Sequence, residues 1–361
     1  MSSHMGLFLG QGITSMQLDL RATDSPVHRI ASRMALHRLG PTITKLDIRG
    51  LELLKYPARR LPWYRLQHLS IVRVTVETIP LLATLPRLET LFLEKMEGIV
   101  YDDAESNLNF TREALPAGCY FPNLKHLEGE SCRFGDIGYI LRYIPATTPL
   151  ETIRWKQLST THRADVEGFV QLVARHCNPT SLTSVKLKGF DLSIFGGPDD
   201  WDNTEPARLD LNLLSAFQNL ERVDLSCPPG LTIEPEFLAA IPHSWPKLKT
   251  LVLCPSIVNP SPPLLIDHTH VTQLVRQLSH LQVLGLRFDA TKITAEEREQ
   301  TEFETPSPKL HTLRLGNSPI ESRARVTAFL KANFPALEVL ERELAPTGSG
   351  WQTVRVDLMK Y

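Results

Sequence analysis

No two of the five cysteines (Cys119, Cys132, Cys177, Cys227 and Cys254) stand at CxxC spacing, and their number is odd. That excludes a cysteine zinc site and a disulfide framework, and it fits a reducing compartment. Charge of one sign is lacking too: 39 Lys and Arg against 40 Asp and Glu leave a formal net charge of -1. A general nucleic-acid binder carries a net basic face, so that class is set aside. No stretch approaches the ~18 apolar residues of a membrane span. The opening "MSSHMGLFLGQGITSMQ" has no basic n-region and is not a secretory signal. The expectation is a soluble protein of the cytoplasm or nucleus, without membrane or nucleic-acid partners. The chain also lacks GxxxxGK[ST], GxSxG, HExxH and GxGxxG, the spacings that build phosphate cradles, nucleophile elbows, zinc sites and dinucleotide folds. It reads as no enzyme, with no cofactor.

What is present is a repeat. An aliphatic residue, two positions, a second, one position and a third recur as "ITSMQL" from Ile13, "ITKLDI" from Ile43, "LQHLSI" from Leu66 and "LETLFL" from Leu88. A weaker "LKHLEG" starts at Leu124, followed by "LETIRW" at Leu150, "LTSVKL" at Leu182 and "LERVDL" at Leu220. "LKTLVL" at Leu248, "LQVLGL" at Leu281, "LHTLRL" at Leu310 and "LEVLER" at Leu337 complete twelve copies. Intervals run from 22 to 38 residues and average about 29, the upper end of the leucine-rich repeat period. The second and third aliphatics, two apart, point to one side of a short strand, and the residues between them point to the other. One such strand cannot bury its face alone, but twelve stacked strands can.

The segments between strands read as helices in several places. Val166, Phe169, Val170, Val173, Ala174 and Cys177 follow a 3–4 rhythm between Arg163 and Cys177. Asp136 is placed to cap a helix with inner residues Ile137, Ile140, Leu141 and Ile144, stopped by Pro145, and Ser322 to cap one through Val326, Phe329 and Leu330. Proline before the strand anchor, in "FPNL", "WPKL" and "FPAL", returns the chain to extended backbone. The fold expected is an α/β leucine-rich repeat solenoid: a curved parallel sheet with helices and irregular segments on the convex side. Residues 1–12 form an N-terminal segment, and 13–361 a single irregular domain of about twelve repeats.

"FPNLKHLEGESC", "FQNLERVDLSC" and "LFLGQGITSMQLDL" resemble the leucine-rich repeat region of fungal-type F-box proteins. The resemblance implies substrate recognition for a cullin-type ubiquitin ligase. The helical F-box module itself is not in this sequence, so the ligase adaptor is expected as a partner only if an F-box lies upstream. The alternative is a stand-alone repeat protein that binds or inhibits a partner. The family's common repeat has Asn or Cys at its ninth position, which Cys132 matches, whereas Leu51, Val74, Met96, Leu158 and Phe190 replace it by packing residues.

The candidate site is the concave face, which displays residues between the strand aliphatics. In register, Glu128 meets Arg154, Glu130 meets Lys156, and Lys186 meets Asp224, leaving Lys188 and Arg222 unpaired. Phe92 on one side and Val252, Cys254, Val283 and Gly285 on the other make the flanks less polar. A charged centre with apolar flanks suits a protein or peptide ligand. Two acidic insertions, 97–123 and 189–218, carry Tyr101, Phe110, Phe195 and Trp201, which either contact a partner from the rim or fold back as padding. Phe92, Arg154, Lys156, Lys186, Lys188, Arg222 and Trp201 are therefore the candidate partner-binding residues. Asp199, Asp200 and Asp202 read as a solvated acidic loop rather than a cation site. Asp267, His268 and His270 in "DHTH" lack a further ligand for a metal.

Overall fold

The computed structural model describes residues 12–19, 40–49, 63–97, 120–130, 134–160, 163–190, 211–226, 233–253, 264–294, 309–316 and 318–341, together with positions 27, 34, 36, 38 and 354. Each of the twelve aliphatic patterns forms a strand: β1 Ser15–Asp19, β2 Lys45–Arg49, β3 His68–Thr75, β4 Thr90–Glu97, β5 His126–Glu130, β6 Thr152–Thr160, β7 Ser184–Phe190, β8 Arg222–Ser226, β9 Thr250–Val252, β10 Val283–Gly285, β11 Thr312–Arg314 and β12 Val339–Glu341. Every strand begins two residues after its anchor. Among the described residues, the α-helices between strands are α1 Ile79–Ala83, α2 Phe134–Leu141, α3 Arg163–His176, α4 Pro235–Ser244, α5 His268–Gln277 and α6 Arg323–Asn333. This is an α/β solenoid of twelve parallel strands with the leucine-rich repeat pattern.

The chain divides into two compact units. Met1–Leu158 with Gln171–Leu182 carries β1 to β5 and most of β6, whereas Ser159–Val170 with Thr183–Tyr361 carries β7 to β12. Within each unit the strands pair in chain order, and homologous repeat positions pair with one another: Ser15 with Lys45, His68 with Thr90, His126 with Thr152, Arg222 with Thr250, Val283 with Thr312.

One backbone device fixes that register. Within each unit, the carbonyl of the residue after the anchor accepts two N–H groups from the next repeat. Thr44 and Lys45 donate to Thr14 at 2.8 and 3.0 Å, and Lys249 and Thr250 donate to Glu221 at 2.8 and 3.0 Å. A shift of one residue would break both bonds and turn the aliphatics outward. Before the anchor, a tight turn closes on a buried apolar residue three positions back. Leu66, Leu220, Leu248, Leu281 and Leu337 donate to the carbonyls of Trp63, Phe217, Trp245, Leu278 and Phe334 at 2.9–3.2 Å. All five acceptors are buried. The "FP" and "WP" dipeptides mark this turn, with the aromatic filling the core beneath it.

The inward strand residues are closed off from water. Leu91, Leu93, Leu127, Ile153, Val185, Leu187, Val223, Leu225, Leu251 and Leu284 are all at 0% exposure, each burial contributing roughly 1.5–3 kcal/mol. The connecting segments stack on one another inside each unit. In the first, the Tyr139 hydroxyl of α2 donates to the Val76 carbonyl just before α1 at 3.4 Å. In the second, the Trp245 indole N–H donates to the Leu214 carbonyl at 3.0 Å, and Phe329 of α6 meets His268 of α5 edge to face at 5.3 Å.

Most helix expectations hold. Val166, Phe169, Val170, Val173 and Cys177 are buried, as are Ile137, Ile140, Leu141 and Ile144. Ser322 caps α6 by accepting the Arg325 N–H at 3.4 Å. Asp136 is different. It lies inside the first turn of α2, which starts two residues earlier at Phe134, and it is buried at 3% exposure.

Candidate functional site

The expected ladder of charge pairs is present on the outward face. In the first unit, Arg154 Nη1 lies 3.4 Å from Glu128 Oε1, and Lys156 pairs with Glu130. The side chains remain 31–45% exposed, so each pair contributes only ~0–1 kcal/mol. Their effect is to neutralise this part of the face. Phe92, half-buried on β4, pairs in register with Ser70 and Glu128 and forms an apolar step beside the Glu128–Arg154 pair.

In the second unit, Lys186 Nζ lies 3.3 Å from Asp224 Oδ2, and the Ser226 hydroxyl donates to Asp224 Oδ1 at 2.5 Å. The Asp224 side chain is only 8% exposed while Lys186 keeps 40%. The carboxylate is therefore a fixed support, and the ammonium is what solvent meets. Lys188 and Arg222 are exposed and take no ion pair or side-chain hydrogen bond with any described residue.

Register separates these two cations. Arg222 stands opposite Ser184, and Lys188 opposite Ser226. They are four residues apart along the strand and one strand apart across it, about 14 Å by the usual rise and spacing. The neutralised Lys186–Asp224 pair lies between them.

Pairs not anticipated from the sequence occupy the position just after the anchor. Lys125 meets Glu89 at 3.2 Å, and Lys249 meets Glu221 at 2.7 Å. The alternation of Glu and Lys at that repeat position was their signal. Val252 also departs from expectation. It belongs to the outward face by register, yet it is 2% exposed and presents no apolar flank to a ligand. Its partner on β10 is Gly285, and a Cβ there would lie 2.8 Å from Val252 Cγ1. The valine folds over the space the glycine leaves. Cys254, Trp201, Tyr101, Phe110, Phe195 and the acidic triplet Asp199, Asp200 and Asp202 lie outside the described residues.

The "DHTH" stretch has a structural use. Asp267 is the N-cap of α5: its carboxylate accepts the Thr269 and His270 N–H groups at 3.1 and 3.5 Å, and its own N–H donates to His270 Nδ1 at 3.3 Å, which closes a capping box. Burial opposes ionisation of Asp267, but hydrogen bonds from Thr269 and His270 and the His270 charge outweigh it and hold the carboxyl at about 2. Burial pushes the Cys177 thiol up to about 12, which removes it as a nucleophile near neutral pH. Among the described residues, no group of three or more His, Cys, Asp or Glu is placed to hold a metal ion, and no helix is long and apolar enough to cross a membrane. No family model matches this sequence, and comparison with curated proteins gave no match.

Proposed function

We propose that this chain is a non-catalytic protein-binding scaffold whose partner docks on the exposed face of the repeat sheet. The observation that carries this reading is the pair of exposed cations Lys188 and Arg222, which pair with no described residue. They stand on a face where Arg154, Lys156 and Lys186 are each matched to a carboxylate. A ladder selected for stability alone gains from matching them too. In the first unit, taken by itself, Phe92 and Arg154 mark a candidate surface of their own. The sequence resemblance supports a finer role, the substrate-recognition region of an F-box-type ubiquitin ligase receptor.

A photo-crosslinking residue placed at Phe92 or Thr250, on the sheet face, is expected to capture protein. The same residue at Gln171 or Glu236, exposed on α3 and α4, is expected to capture little. Equal capture from the helices overturns the proposal. The ligase role predicts that the gene product containing these repeats co-purifies with the cullin-ligase adaptor. Sheet-face capture without the adaptor leaves a stand-alone binding protein.

A further inference from the structure

The surface of β7, β8 and β9 differs in charge from the ladder on β5 and β6. With the residue preceding each strand included, its charged groups are Lys186, Lys188, Arg222 and Lys249 against Glu221 and Asp224. Lys249 neutralises Glu221, and Lys186 neutralises a nearly buried Asp224. What remains is a net charge of +2 held at two points, Arg222 where β8 begins and Lys188 toward the end of β7. Both points rise from rigid strand backbone, so their separation is fixed by register.

From this we infer that the β7–β9 surface receives an acidic peptide segment in extended conformation, with two carboxylates four residues apart in its sequence. This rests on the sheet face being the docking surface, as proposed above. The spacing follows from geometry. An extended chain advances about 3.3 Å per residue, so side chains at i and i+4 lie about 13 Å apart and point to the same side. That matches the four-residue offset between Arg222 and Lys188 along the strands. A peptide running nearly parallel to the strands places one carboxylate at each cation. Its residue i+2 then faces the neutralised Lys186–Asp224 pair and gains nothing from charge. Spacing of i+3 turns the second carboxylate away from the sheet.

A nucleic-acid strand fits this surface less well. Its phosphates repeat continuously, whereas the two free cations are isolated and a carboxylate lies between them. Among the side chains described on β7 to β9, none is an exposed aromatic ring on which a base can stack.

The test uses the full 361-residue chain and fluorescent nine-residue Ser/Thr peptides with two glutamates, read by anisotropy at about 50 mM salt, where charge attraction is weakly screened. The i,i+4 peptide is expected to bind at least tenfold tighter than the i,i+3 peptide or the Gln-for-Glu version. Lys188→Glu and Arg222→Glu are each expected to weaken it tenfold or more with unchanged melting temperature. The double reversal is expected to prefer a peptide with two lysines at i and i+4. Equal binding of both spacings, indifference to the reversals, or stronger binding of an oligonucleotide of equal charge each overturns the inference. Failure here with sheet-face crosslinking retained removes only the acidic-peptide assignment; loss of both removes the docking face itself.

Discussion

At the scale of single residues, the packing depends on volume exchanged between neighbouring repeats. Gly129 occupies an inward position on β5 where most other repeats have an aliphatic. Trp155, directly across on β6 and 1% exposed, fills that space. A Cβ on Gly129 would lie 2.5 Å from Trp155 Cε3, which cannot yield because the ring is enclosed. Gly129→Ala is expected to destabilise by about 1–3 kcal/mol, the range for overpacking. In a Trp155→Leu background the same substitution is expected to cost much less. Denaturant titration of the four-member cycle measures the difference, and additive effects would disprove the assigned contact. Val185 gives the complementary case, an inward position at 0% exposure. Val185→Asp buries an unpaired carboxylate and is expected to cost several kcal/mol, a large share of a domain's stability. A wild-type melting temperature in that variant would disprove the strand register.

Elements are set by their ends as much as by their faces. The α5 cap was visible as an Asp-His-Thr-His string, but residue type alone did not distinguish a cap from a ligand set. Only the reciprocal bonds decide it, the His270 N–H to the Asp267 carboxylate and the Asp267 N–H to His270 Nδ1. This cap has a pH signature. The Asp267 carboxyl, ordinarily near 3.8, is held at about 2 in the folded chain, so the stabilisation is fully present above about 3.8 and is lost as pH falls through about 2. The group is partly exposed and therefore screened, which limits its contribution to about 1 kcal/mol. Asp267→Asn is expected to lower the melting temperature by a few degrees or less at pH 6, with the gap closing between pH 4 and pH 2. A gap independent of pH would show that ionisation of this cap is not what stabilises it. Removing the α6 cap by Ser322→Ala is expected to cost ~0.5–1 kcal/mol without any such pH dependence, because the hydroxyl does not titrate there.

For the molecule as a whole, the repeat architecture makes stability a chain of nearest-neighbour terms. Each strand in a unit shares its backbone bonds and its inward side chains with the next repeat. In Val185→Asp, amide hydrogen exchange is therefore expected to rise most in β7 and β8 and to fall off along β9 to β12. Uniform loss of protection across the second unit would indicate a single cooperative block instead. Among the described outward charges of β7 to β9, Lys249–Glu221 and Lys186–Asp224 cancel locally, whereas Lys188 and Arg222 pair with no described residue.

The positions of all twelve strands were legible in the sequence because the anchor pattern is local. A spacing of three then two fixes which side chains point inward, and identical spacing in each copy forces identical register through the doubly bonded carbonyl. The pairs Glu128–Arg154, Glu130–Lys156 and Lys186–Asp224 followed from that register, because side chains in line on adjacent strands must meet. Asp136 was placed at a helix start by its type, whereas α2 begins earlier and buries it. Compensation between repeats was not legible either. Val252 over Gly285 and Trp155 over Gly129 join residues 33 and 26 positions apart, and their fit depends on the volume a neighbour leaves empty, which no single repeat contains. The sequence by itself determined the strands, their register and their charge pairs, since each is a matter of spacing. The tertiary structure alone decided which outward positions remain open to solvent, because exposure depends on what the adjacent strand puts beside them.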